Sequence, residues 1–371
     1  MTKKLFAVCA LTGLIISLAI STPAHDDKKD SKSGEKVERS LPVDAQATVT
    51  LCVASGSLNV RGWDKNEVRV RSADAAQIDF RRIDKVKDPA KPATRIDVML
   101  LDKHTHANTK LDCQAVADVE MEVPAGATVQ VQTRDGDINI AGVSAAYAGS
   151  QNGDITIERA TKLVEAGSVG GSIFLKDSSG RVNLSSAGGV VEVVNVRSAS
   201  DEDTFEVGTV SGDIQLERVS NSKVMAKTVN GTVTMSGPLA KSGYYGFTNM
   251  TGDVVLALPH DASFQLNAKV SKSQDIVSDF KLTYLGETPP PPPPAATPRS
   301  PESAAKQPSA KTQPPQPGKV QPAPKAGPII MVEKPTVVVP YPVRRVNAIC
   351  GSGDATISVA SFGGTIRLKK I

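Results

Sequence analysis

Aromatic side chains are scarce. Phe, Tyr and Trp make up 4% of the 371 residues, with a single tryptophan, Trp63. That weighs against the sugar-stacking subsites of polysaccharide-active enzymes. Histidine is nearly as rare, with four residues, and none stands at ligand spacing from a cysteine, so a zinc site of the usual pattern is not expected. No sign of charge dominates. The formal net charge is +4, part of it in the N-terminal leader and a Pro-rich segment, so no basic surface calls for nucleic acid. No Ser, His and Asp share a motif context for nucleophilic catalysis. After residue 20 no run is apolar enough for a membrane-spanning helix.

What is present is an address, a repeat and an insertion. Lys3 and Lys4 precede an apolar run from Leu5 to Ile20, and Thr22-Pro23-Ala24 closes it with a small-x-small pattern. This predicts an export signal cleaved after Ala24, the run of about 16 residues being short for a membrane span. Export permits disulfides. Of the three cysteines left, Cys52 and Cys113 fall in strand-like stretches and are the expected pair, and Cys350 is expected to be buried.

The repeat is read from glycines followed by alternating residues, as in "TVSGDIQL" and "TVNGTVTM". The corner glycines are Gly136, Gly153, Gly171, Gly189, Gly212, Gly231 and Gly252, then Gly353 and Gly364, the first seven spaced by 17, 18, 18, 23, 19 and 21 residues. Two and four residues after each glycine the side chain is always apolar (Ile155 and Ile157, Ile214 and Leu216), and the residue between is mostly polar. Period two means strands with one buried face, and a fixed spacing of about 20 residues means a solenoid. The glycine is expected at a sharp corner that needs positive φ or close backbone approach. Three residues before it runs a column of small polar residues from Thr133 to Ser361, with Cys350 in the same frame.

The fold class is therefore all-β, a parallel β-helix or β-solenoid with about 17–23 residues per repeat. The organisation reads as a signal peptide (1–24), a polar flexible segment (25–40), an N-terminal β region (41–128), solenoid repeats (129–286), a Pro-rich disordered insertion (287–345) and terminal rungs (346–371). The insertion holds 18 of the 25 prolines. It is expected to be extended and without a core. "VPAGATVQVQT" (123–133) and "LPHDASFQLNA" (258–268) are related copies, so the array reads as two related halves.

The recurring "SGDI" corners, "RGWDKNEVRV", "GDVVLALPHDASFQLNA" and "GSGDATISVASFGGTIRLKK" resemble a bacterial family named for adhesins and of unknown function, the β-strand-repeat family DUF4097. The resemblance covers roughly 41–286 and 346–371. It implies a β-solenoid in an exported, envelope-associated protein and brings no catalytic motif. The long Pro-rich insertion departs from the family pattern.

Candidate sites are few. Asp137, Asp154, Asp213, Asp253 and Asp354 follow corner glycines, but Ser172, Val190, Thr232 and Thr365 interrupt the series, so these aspartates read as corner caps rather than metal ligands. His104 with His106, and Asp201, Glu202 and Asp203 in the longest inter-rung loop, are weak metal candidates. No cofactor is expected. The expected function is a non-enzymatic, adhesin-like envelope protein that is periplasmic, surface-bound or secreted. Its partner would be an envelope or surface polysaccharide or protein, with oligomers forming through the solenoid ends. Two alternatives are a β-helix polysaccharide lyase or hydrolase, and a spacer whose Pro-rich arm contacts the envelope.

Overall fold

The alternation after each glycine makes short strands because every second side chain can leave water. Ile155–Glu158 alternates buried and half-buried residues, and Ile214–Val219 begins in the same way. A computed structural model of the chain describes residues 36–84, 91–102, 113–285 and 343–371. The expected signal peptide, most of the Pro-rich insertion, His104 and His106 lie outside these residues. The described residues are β-strands joined by turns, and no helix among them is long and apolar enough to cross a membrane.

Each rung consists of an upstream strand, a glycine corner and a downstream strand. Upstream strands pair in one sheet and downstream strands in another, almost all parallel and in register. Downstream, Ile138, Ile155, Ile173, Val191, Ile214, Val233 and Val254 pair in sequence, and Ile366 continues the line. All eight are completely buried. Burying each such side chain contributes about 1.5–3 kcal/mol, and no single rung could shield its own apolar face.

The chain order of the rungs is broken at both ends. The strands Val37–Ser55 and Leu58–Trp63 form a rung around Gly56. This rung lies between Ala93–Asp102 with Val119–Pro124 on one side and Thr128–Asp135 with Ile138–Ala141 on the other. The turn after Pro124 thus steps over one rung. The other end repeats the device. Ala355–Ser361 pairs with both Tyr244–Thr251 and Phe264–Ser271, and Ile366–Lys370 with both Val254–Leu258 and Ile276–Ser278. The turn after Pro259 steps over the rung that the last residues of the sequence fill. The two turns share a backbone hydrogen bond, Ala127 N–H to Pro124 C=O and Ala262 N–H to Pro259 C=O, both at 2.9 Å. The related copies at 123–133 and 258–268 are these two turns.

Two expectations are corrected here. The closing segment is not the last rung, because Phe264–Ser271 and Ile276–Ser278 lie beyond it. Gly353 is not a corner of the column. It follows the strand Val343–Cys350, which runs antiparallel to Phe264–Ser271, and it leads into an upstream strand rather than a downstream one. Ala355 and Ile357 stand two and four residues after Gly353, but they belong to the strand that precedes Gly364. The two flanks of the insertion are neighbours, since Thr283–Tyr284 pairs with Val343–Cys350 and Leu285 N–H donates to Asn347 C=O at 2.9 Å.

Candidate functional site

The corners show what most of the repeated residues do. A Cβ built on Gly153, Gly171 or Gly231 would lie 2.0–2.1 Å from the carbonyl oxygen of the preceding corner glycine, far inside contact distance. Close backbone approach, rung upon rung, requires glycine in the column. The small polar residue before six successive corners uses the same carbonyls, while Ser361 Oγ donates to the carbonyl of its own corner, Gly364, at 3.0 Å. The Ser150, Ser168, Ser186, Thr209 and Thr228 hydroxyls donate to Gly136, Gly153, Gly171, Gly189 and Gly212 at 2.9–3.3 Å, and Asn249 Nδ2 donates to Gly231 at 2.7 Å. Cys350 is outside this ladder. Its thiol faces Ala262 C=O at 3.5 Å, and burial pushes its pKa up.

The aspartates after the glycines cap backbone. Asp137, Asp154, Asp213 and Asp253 accept from the N–H of Asp154, Ser172, Thr232 and Thr365 at 2.7–2.9 Å, each holding the neighbouring rung. Asp354 instead accepts from Ser352 Oγ. The acidic loop is likewise structural. Asp203 Oδ2 accepts from Ala199 N–H and Ser200 N–H, both at 2.7 Å, while Asp201 and Glu202 face solvent. Among the described residues no group of three or more His, Cys, Asp or Glu could hold a metal ion. Cys52 and Cys113 are joined in a disulfide.

Beyond the corners, the side chains free for chemistry are those pointing outward from the strands. Where Glu67–Ser72, Val119–Pro124, Leu58–Trp63, Ile138–Ala141 and Ile155–Glu158 lie side by side, their outward residues border a concavity of about 530 Å³. Val60 and Met121 are buried beneath, so Asn59, Arg61, Glu120 and Glu122 point out. One line across the strands runs Arg71, Glu120, Asn59, Asn139, Thr156. The next runs Arg69, Glu122, Arg61, Ala141, Glu158. Asn139 Nδ2 donates to Asn59 Oδ1 at 3.1 Å.

The carboxylates here are all neutralised. Glu120 pairs with Lys36 at 3.0 Å, Glu122 with Arg69, and Glu158 with Arg159 at 3.0 Å. Arg71 pairs with Glu38 at 2.7 Å, and its hydrogen bond holds the Glu38 carboxyl below the usual carboxylate range. Arg61 has no ion-pair partner among the described residues. Trp63 borders this end, its ring 4.6 Å from the Arg69 guanidinium carbon and 4.9 Å from Lys65 Nζ. The alternation in "LNVRGW" and "VEMEVP" shows that these residues face out. Their adjacency was hidden, because it depends on the displaced first rung.

A second feature is the opposite bend of the rungs, where Gly142 and Gly237 stand in the same column with positive φ. Arg159, Asp177, Asn195 and Arg218 occupy it with φ of 49–56°, in the left-handed region. Asn195 Nδ2 donates to Asp177 Oδ1 at 2.9 Å from one rung to the next.

The family model Toastrack DUF4097 matches residues 35–287. A crystal structure of a protein from Clostridium sporogenes ATCC 15579, described as a "putative cell adhesion protein", is similar over 91% of this chain and 100% of that one, at 10% identity and a TM-score of 0.17. No curated protein matches the chain.

Proposed function

The chain belongs to the Toastrack DUF4097 family, and from that premise we propose that it is an exported, non-enzymatic envelope protein that binds an acidic polysaccharide along its downstream sheet. The observation that carries the reading is Arg61. Among the described residues it is the one charged side chain of the concavity without an ion-pair partner, and the neighbouring line across the strands carries the Asn59 and Asn139 amides and the Thr156 hydroxyl. A polymer lying across the strands meets a donor or acceptor about every 4.8 Å. A fixed cation beside such a row selects carboxylated or sulfated sugars. The Cys52–Cys113 disulfide and the leader support export to an oxidising compartment.

Binding of polygalacturonate and hyaluronate to the purified chain, with dextran as the neutral control, tests this by calorimetry. Arg61→Ala is expected to weaken binding about tenfold, roughly the worth of one charge-assisted hydrogen bond. Equal binding by wild type and variant, or binding of dextran alone, sinks the proposal. Release of reducing or unsaturated ends from the polymer would establish the lyase or hydrolase reading instead.

A further inference from the structure

The outward face of the upstream sheet carries a feature that the binding reading does not use. Two residues before the corner glycines, six consecutive rungs present Val169, Ala187, Val210, Val229, Met250 and Phe362. The register places them in one line, since the residues just before them (Ser168, Ser186, Thr209, Thr228, Asn249 and Ser361) pair in sequence. Val169, Val210 and Val229 are 60%, 51% and 37% exposed. Scattered exposed valines need no explanation, whereas a contiguous apolar ridge marks an interaction surface.

The charges beside the ridge identify what covers it. Glu165 and Glu206 stand two columns away from the ridge in the second and fourth rungs of the series that starts at Ala145–Asn152. Arg181 lies in the third rung, and Lys223 and Lys227 in the fifth. None of the five has an ion-pair partner among the described residues. A two-fold axis parallel to the strands, passing between the rungs of Ala187 and Val210, reverses the rung order and keeps the columns. It lays Val169 on Val229 and Ala187 on Val210. It sets Glu165 opposite Met225, between Lys223 and Lys227, and Glu206 opposite Asn183, beside Arg181. Each acid of one copy then meets a base of the other, and each contact occurs twice, as an isologous interface requires.

We propose that two copies of this chain pair face to face through the upstream sheet about this axis. The axis overlaps six rungs, from Ala145–Asn152 to Tyr244–Thr251, and at about 4.8 Å per rung and strands of about 20–26 Å they offer roughly 600–750 Å² per copy, near the lower end for a specific dimer. The surface that carries Arg61 is on the other sheet and stays open in both copies.

Sedimentation equilibrium of the purified full chain tests the pairing. A reversible dimer is expected, and Val210→Asp should weaken it at least about tenfold. Glu165→Lys should also weaken it. The combination Glu165→Lys, Lys223→Glu, Lys227→Glu should restore it, because the charges are exchanged rather than removed. Circular dichroism separates weakened pairing from misfolding, and the charge exchange decides the matter if Val210→Asp does not fold. A monomer at all concentrations up to the order of 100 µM, or a dimer unmoved by both Val210→Asp and Glu165→Lys, overturns the proposal.

Discussion

At the scale of the residue, the column of corners is held by contact distance more than by backbone freedom. Gly171 is not in the left-handed region, yet a methyl group there would lie 2.0 Å from the Gly153 carbonyl oxygen. Neither atom can yield, because both belong to the backbone of packed rungs. Gly171→Ala is therefore expected to cost about 3–4 kcal/mol, the large end for a single substitution, as measured by urea denaturation. Gly353→Ala is the contrast. Its φ of 78° strains any side chain, but the nearest atom to a new Cβ is Ile349 Cγ2 at 3.6 Å, so the expected cost is only about 1–2 kcal/mol. Equal losses at the two positions would refute this account of the column.

At the scale of the element, the strand Val37–Ser55 is wedged between rungs and cross-linked through Cys52 to Cys113, 61 residues away. Opening that loop in the unfolded chain favours unfolding by about 4 kcal/mol in the chain-entropy model. Cys113→Ala should lower the stability from urea denaturation by about that much, and reductant should then have no further effect on the variant. Strands and corners were legible in the sequence because alternation and glycine spacing report which side chains leave water. Strand neighbours were not. Every rung offers the same apolar pattern, so Ile366 satisfies a place beside Val254 as well as Ile276 does, and nothing in the pattern says which one takes it. Gly353 misled for the same reason. "GSGDATIS" copies a corner, although its distance of 11 residues from Gly364 is too short for a full rung. The Arg61 surface inherits that difficulty, since Glu122 and Arg61 become neighbours only through the displaced first rung.

At the scale of the whole molecule, integrity depends on residues that are remote in sequence. A chain ending at residue 342 would lack both the rung 355–370 and the strand Val343–Cys350. The strands Tyr244–Thr251 and Phe264–Ser271 would then face each other across a missing neighbour, with the apolar side chains of Phe247, Leu256 and Leu266 losing cover. This truncation is expected to lose protease resistance over about residues 240–285 while the middle rungs keep their strand signal by circular dichroism, which limited proteolysis with mass spectrometry will read. Uniform resistance would show that the final rung is dispensable.

The paired proline turns also bear on how such a protein lengthens over evolution. Between Pro124 and Pro259 successive rungs follow one another like coins on a roll, and a duplicated unit there adds one coin and disturbs nothing else. Outside that interval a duplicate would find its berth already occupied by the rung 37–63 or the rung 355–370. Whole added units are therefore expected in the interior, with the two ends kept as fixed clasps.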